Sequence, residues 1–379
     1  MALFTEPDEP RQDESSPVRV RPSRRLIIGW SFLSAAFVLT LVLALLPAPY
    51  VIEQPGPVFN TLGTNQPVGS RPSDDAKPLI TIPSQTTYPT AGSLDLLTVS
   101  VVGNPEQLPS WLEVAGAWFD RSKAVSPVQE LFPPGVTNEQ SDQENQALMV
   151  DSQKDAVAAA LNELGYDFPQ AVKVMQVVHG SPADGILKVG DEIVTVNGAT
   201  VKGVASLRAA VEQNGAGNPA TLGIIRDSKS DIVKVTPTSS AGAVVLGVGV
   251  GMDYTFPFKV NIQLDNVGGP SAGQMFTLGI IDKLTSGKLN GGAHVAGTGT
   301  IDNEGNIGAI GGIRQKMFGA VDAGAKYFLA PASNCNEVTG HIPGGLTVFA
   351  VKKLDDSLAV LKAIKSGAST SSLPTCSAK

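Results

Sequence analysis

The longest unbroken apolar run lies near the N-terminus, where residues 26–46 (LIIGWSFLSAAFVLTLVLALL) carry no charge. A helix of roughly 20 apolar residues spans the ~30 Å hydrocarbon layer of a bilayer, so this run predicts a transmembrane helix over 26–48. A buried helix of this length would normally show a polar face. A cleaved signal peptide has an apolar core of about 7–15 residues and ends in a small-x-small site, which Pro47-Ala48-Pro49 supplies poorly. The expectation is therefore an uncleaved anchor. After it, residues 49–80 are rich in Pro, Gly and polar side chains and predict a linker. Runs of β-branched residues at 80–82 and 94–102 (LDLLTVSVV) predict strands within an N-terminal segment, 81–150. At 151–164 the apolar positions change to helical spacing, with Ala156, Ala160 and Leu164 on one stripe.

From 151 to 240 that helix leads into a compact unit. A strand over 172–178 enters the turn HGSPADG, and VGDEIVTVNG ends in Asn197-Gly198, a tight-turn pair. Val204, Leu207 and Val211 mark one helix face, and the runs TLGIIRD and DIVKVTP predict two closing strands. Residues 243–365 then alternate strands (VVLGVGV, FKVNIQL, AHVAGTGTI, KYFLAP, LTVFAV) with helices near 271–284, 312–322 and 357–364, leaving 366–379 as a C-terminal tail. The fold class is thus mixed α+β: one membrane helix, a β-rich unit and an α/β unit.

Charge decides orientation. Arg19, Arg21, Arg24 and Arg25 precede the apolar run, and the next basic residue is Arg71. Positive flanks stay in the cytoplasm, so residues 1–25, charged and Pro-rich, predict a disordered cytoplasmic tail, with everything after residue 50 outside the plasma membrane. The net charge of -7 argues against a nucleic-acid partner. Both cysteines, Cys335 and Cys376, fall on the oxidising side, which predicts a disulfide tying the tail to the last unit.

Candidate chemistry gathers in the last unit. In Gly268-Gly269-Pro270-Ser271-Ala272-Gly273 a Gly-rich turn opens a helix at Pro270 or Ser271. A serine there has its Oγ beside unpaired N–H groups and the positive dipole end, although serines at such places commonly act as N-caps. In the helix that follows Gly312, apolar positions 313, 317 and 320 form a stripe that also contains Lys316. A lysine on a buried face either snorkels or sits desolvated with a lowered pKa, and a neutral amine is a competent base for a serine hydroxyl. His179 and His341 lie elsewhere; His294, in a strand before a Gly-rich turn, is a weaker partner for Ser271. Neither HExxH, paired-cysteine metal spacing nor GxxxxGK[ST] occurs, so no metal, cofactor or nucleotide is expected.

The segment from Gly180-Ser181-Pro182-Ala183 through Gly190-Asp191 to Val196-Asn197-Gly198 resembles a PDZ domain. That resemblance implies a groove accepting a peptide as an added strand, with Leu164-Gly165-Tyr166 as the candidate carboxylate-binding loop. Gly269-Pro270-Ser271-Ala272-Gly273, Ala296-Gly297-Thr298-Gly299-Thr300, Ile310 to Lys316 and Leu329-Ala330-Pro331-Ala332-Ser333-Asn334 resemble the proteolytic domain of Lon proteases. With the anchor, the chain resembles membrane-anchored PDZ–Lon proteins of Gram-positive bacteria. The resemblance implies Ser271 as nucleophile, Lys316 as general base, Thr298 as a supporting hydrogen-bond partner, and oxyanion donors among the N–H groups from Gly269 to Ala272. It also implies a PDZ unit inserted within the Lon-like domain, so that strands of 81–150 complete its sheet. Gly268 stands where the family often has an acidic residue, and Thr300 where many members have Glu. The expected activity is ATP-independent endopeptidase cleavage of extracytoplasmic polypeptide. The alternative is a PDZ peptide-binding scaffold with an inactive Lon-like domain. A homo-oligomer stays open: Lon-like domains often form rings, but the hexamer-building ATPase part is absent.

Overall fold

A computed structural model describes residues 23–71, 73–264 and 267–376. The expected tail therefore lies outside the described residues up to position 22, Arg19 and Arg21 included. The apolar run forms α1 (Arg24–Leu45). Among the described residues it is the one helix long and apolar enough to cross a membrane, and no residue of Ile28–Leu45 is buried.

Residues 49–80 depart from the linker expectation. They open with β1 (Tyr50–Asn60), which pairs antiparallel with both β2 (Ser93–Val102) and, across α2 (Trp111–Trp118), β3 (Ala124–Pro127). The Pro55-Gly56-Pro57 segment that disguised β1 coincides with a register shift between Pro55 and Val58. At such an irregularity a missing N–H disturbs no ladder bond. Gly56 is required there, since a Cβ would lie 2.4 Å from Thr98 Oγ1.

A long helix, α3 (Asn138–Glu163), follows, its start fixed by a Thr137/Gln140 capping box. The chain then leaves this layer for a second, antiparallel sheet. Its strands are β4 (Gln170–Val177), β5 (Glu192–Val196), β6 (Ala220–Arg226), β7 (Lys229–Val235) and β8 (Val248–Tyr254), with α4 (Val204–Asn214) between β5 and β6. The order is β8-β4-β5-β6-β7. The run VVLGVGV, assigned from sequence to the last unit, thus belongs here: β8 pairs antiparallel with β4 and closes the second unit.

The chain then returns to the first sheet through α5 (Gly273–Leu284), β9 (His294–Gly297), α6 (Ile313–Asp322), β10 (Tyr327–Pro331), β11 (Thr347–Val351) and α7 (Leu354–Ser366). The order β11-β10-β9-β2-β1-β3 runs parallel from β11 to β2. Strands from either side of the second unit therefore share one sheet. Period-2 alternation buries both faces: Leu94, Leu96, Val295, Leu329 and Phe349 pack with α3, α5 and α7, while Leu97, Ala296, Phe328 and Val348 pack with α6. The tail is stitched to the outer strand, with Ala350 N–H donating to Pro374 O at 2.9 Å. Cys335 and Cys376 are joined by a disulfide, Cα–Cα 4.9 Å.

Candidate active site

Helices α5 and α6 cover opposite faces of the first sheet, so their functional side chains can meet only at a strand end. They do so just beyond β9. Ser271 precedes α5 and Thr298 follows β9. From the other face Lys316 reaches the same point, its Nζ 2.9 Å from Ser271 Oγ and 3.1 Å from Thr298 Oγ1. The Thr298 hydroxyl donates to Ser271 O at 3.0 Å, and Gly299 N–H donates to the same carbonyl at 2.9 Å, fixing the serine backbone from two sides.

Ser271 is not a helix cap. The helix starts later than expected, at Gly273, its N-cap is Ala272, and no side chain caps it. The hydroxyl is therefore free to face the amine. The turn before it is held by α3: Ser152 Oγ donates to Pro270 O at 2.9 Å, and Gly269 N–H donates to Asn145 O at 2.8 Å. The second bond corrects the oxyanion assignment for Gly269, whose N–H is already spent. The N–H of Ala272, just before the first turn of α5, makes no bond among the described residues. Neither Ser152 nor Asn145 was singled out from sequence. Ser152 could have been, as a polar position one turn before Ala156 on the buried stripe.

Lys316 is 3% exposed, between Ile313, Met317 and Ala320 on α6. Burial pushes its amine from 10.5 down to about 7, because a charged ammonium loses its hydration there and gains no anionic partner among the described residues. Gly312 begins this helix in the left-handed region (φ 66°), where a Cβ would strike Val99 Cγ2 at 2.6 Å. The preceding loop is clamped by buried Asn334, which accepts from Ile310 N–H at 3.0 Å and donates to Ile310 O at 2.8 Å. His294 opens β9 at the end remote from Thr298 and is exposed, so it is no partner for Ser271.

A cavity of about 650 Å³ opens beside Ser271 and Lys316, with Phe59, Leu96, Met149 and Val267 in its walls. It shares Met149, Val267 and Gly268 with a groove of about 1280 Å³ running along α3. Gly268 leaves no room for a side chain: a Cβ there would lie 2.8 Å from Asn145 Cβ. Gly268→Asp is expected to push the Ser271 turn off α3, at an overpacking cost of about 1–3 kcal/mol, and to lower kcat/KM. Peptide cleavage kinetics beside far-UV circular dichroism check this. Thr300 opens a short hairpin against Gly308.

Leu164-Gly165-Tyr166 is not placed as a peptide-binding loop. Leu164 is the C-cap of α3, Gly165 takes φ 76° immediately after it, and Tyr166 packs edge-on against Phe258 with centroids 5.2 Å apart. The triplet is a helix stop. One edge of the second sheet is β8, which touches α4 and is preceded by Leu246-Gly247, with Gly247 at φ 81°; the other is β7.

Residues 138–236 match the PDZ domain family, and residues 266–364 match the Lon protease (S16) C-terminal proteolytic domain, an interval that holds Ser271, Thr298 and Lys316. The Lon protease of Geobacter metallireducens is 37% identical over 95 residues, 24% of this chain and 11% of that protein. The Lon protease of Buchnera aphidicola subsp. Schizaphis graminum is 25% identical over 180 residues, 46% of this chain and 21% of that protein. The chain thus spans only about a tenth to a fifth of these relatives. Among solved structures, the PDZ domain of the SdrC-like protein from Listeria monocytogenes is 21% identical, covering 21% of this chain and 86% of that one at a TM-score of 0.20.

Proposed function

We propose that this chain, which carries a PDZ domain joined to a Lon-type proteolytic domain, is a membrane-anchored serine endopeptidase using Ser271 and Lys316 as its catalytic pair. The observation that carries the reading is the 2.9 Å approach of a buried Lys316 amine to Ser271 Oγ. With the amine neutral, the hydroxyl donates its proton to the nitrogen lone pair as Oγ attacks the scissile carbonyl carbon. The carbonyl oxygen becomes an oxyanion facing the Ala272 N–H. As the C–N bond breaks, the Lys316 ammonium returns its proton to the leaving amine, and the acyl group stays on Ser271. Water then gives a proton to the regenerated amine and attacks the ester carbon; as the C–Oγ bond breaks, the ammonium returns that proton to Ser271 Oγ, and the acid leaves. Thr298 holds the amine on line throughout.

No step in this scheme uses nucleotide, so cleavage proceeds on polypeptide alone. The apolar cavity beside Ser271 suits an apolar side chain next to the scissile bond, and the groove along α3 suits an extended chain. Extended, unstructured polypeptide is therefore the substrate class. The free edge of β8 beside α4 suits a peptide added as a further strand. With α1 as an anchor and its N-terminus inside, both units face the outside of the plasma membrane.

A serine-directed phosphonate tests the assignment. Peptide mapping of the treated protein should show one adduct, on Ser271, absent from Ser271→Ala. Unmodified Ser271 in protein that still cleaves an unfolded substrate would remove it from the reaction.

A further inference from the structure

Helix α2 does not fit the ordinary pattern of a surface helix. Its sequence, WLEVAGAW, has one charged side chain, Glu113, and that carboxylate is occupied at the helix start, accepting from Ser110 N–H at 2.7 Å. One stripe, Val114 and Ala117, is buried against Ala48 and Ile52 of the segment leading into the first sheet. The remaining surface is also apolar, yet exposed: Leu112 is 44%, Trp118 59% and, just past the helix, Phe119 90% accessible. A helix that is apolar all round is normally surrounded by an apolar medium. Here the protein supplies that medium on one side only.

The location says what supplies the other side. Trp111 N–H donates to Leu46 O at 3.1 Å and Ala48 N–H to Pro109 O at 2.8 Å, so α2 is bonded directly to the exit of α1. Trp111 also packs edge-on against Tyr50, with centroids 5.8 Å apart. The antiparallel register sets Val102 opposite Ile52, bringing the exposed end of β2, Val101 (40%) and Val102 (38%), to this same end of the sheet. Surface bonded to the last turn of a membrane helix lies at headgroup depth, where Trp is favoured and apolar faces insert by about 5–10 Å. Arg121, exposed two residues beyond Phe119, suits lipid phosphate.

We propose that Leu112, Trp118 and Phe119, flanked by Val101 and Val102, form a second membrane contact that lies in the outer leaflet and sets the proteolytic unit down on the bilayer. The proposal rests on the reading of α1 as a membrane anchor. It implies that substrate is met close to the lipid surface, since the sheet carrying Ser271 then has fixed height and tilt.

Trp30 in α1 and Trp118 allow the two readings to be separated in the full chain, without touching the packed Trp111. Trp30→Phe, Trp118→Phe and the double variant are reconstituted in phosphatidylcholine–phosphatidylglycerol vesicles, with plain or brominated acyl chains. The emission of each tryptophan is the difference between a single variant and the double. Bromines near the carbonyl end of the chain should quench Trp118 about twofold and deep bromines less, as expected at interfacial depth. Quenching of Trp30 with none at Trp118 overturns the proposal and leaves the anchor standing. Absence of quenching at both removes the anchor and the proposal together. A blue-shifted Trp118 insensitive to bromine means that protein, such as a second copy, covers the patch, which also overturns it.

Discussion

Lys316→Met is expected to lower kcat/KM on an unfolded polypeptide by at least about a thousandfold while making the protein more stable. Removing the nucleophile or the base of such a pair typically costs several orders of magnitude, and Ser271→Ala should fall to the same floor, because in the proposed mechanism the two act as one unit. Lys316→Arg should not rescue activity: a guanidinium stays charged at every accessible pH and cannot accept the serine proton. If Arg restored more than a few per cent of the rate, the residue would be acting as a fixed positive charge, and the base assignment would fail.

The stability half of this prediction has its own physical cause. Lys316 has a folded pKa near 7, against 10.5 for the free side chain. Between those values the unfolded chain binds more protons than the folded one, so the group's cost falls as pH rises from 7 to 10.5 and is fully present below 7. At neutral pH that cost is on the order of a few kcal/mol, and Met, of similar length and apolar, removes it. Denaturant unfolding at pH 7 should therefore give a higher midpoint for Lys316→Met than for the parent protein. Two otherwise independent measurements, lost turnover and gained stability, report the same desolvated amine.

The sequence already placed Ser271 beside a Gly-Pro turn and Lys316 on an apolar stripe, because both signals are local. Non-local pairing was not legible. β1 was hidden because Pro55 and Pro57 argue against a strand, and only the register of its partner β2 shows that they fall at an irregularity. β8 was recognisable as a strand but not as a partner of β4, since a run of alternating Val and Gly carries no record of its neighbour. For the same reason Gly269 looked like an oxyanion donor until Asn145, on a helix distant in sequence, was found to hold its N–H. Leu164-Gly165-Tyr166 fits a binding loop and a helix stop equally well as letters. The packing of Tyr166 on Phe258 decides between them.

The pH profile is the prediction that ties α3 to the chemistry. In the proposed mechanism a neutral Lys316 is the active form, so kcat/KM should rise with unit slope below a midpoint near 7 and level off above it. From pH 6 to pH 8 the increase is about tenfold for a single titration of this kind. A half-buried carboxyl on the same helix as Ser152 also titrates in the acid range. Asp155 on α3 accepts from Tyr254 Oη at 2.6 Å, and burial raises its carboxyl to about 6. Tyr254 ends β8, an edge strand of the second sheet, and Asp155 lies one turn from Ser152, which holds Pro270. Protonation of Asp155 could depress activity below pH 6 by loosening this link, but it cannot generate a midpoint at 7. Asp155→Asn keeps a partner for the tyrosine and removes the titration. The variant should therefore keep the midpoint near 7 while any further fall below pH 6 disappears. A midpoint that moves with Asp155→Asn would transfer the titration from the amine to α3, and a flat profile from pH 6 to 9 would deny Lys316 its role as base.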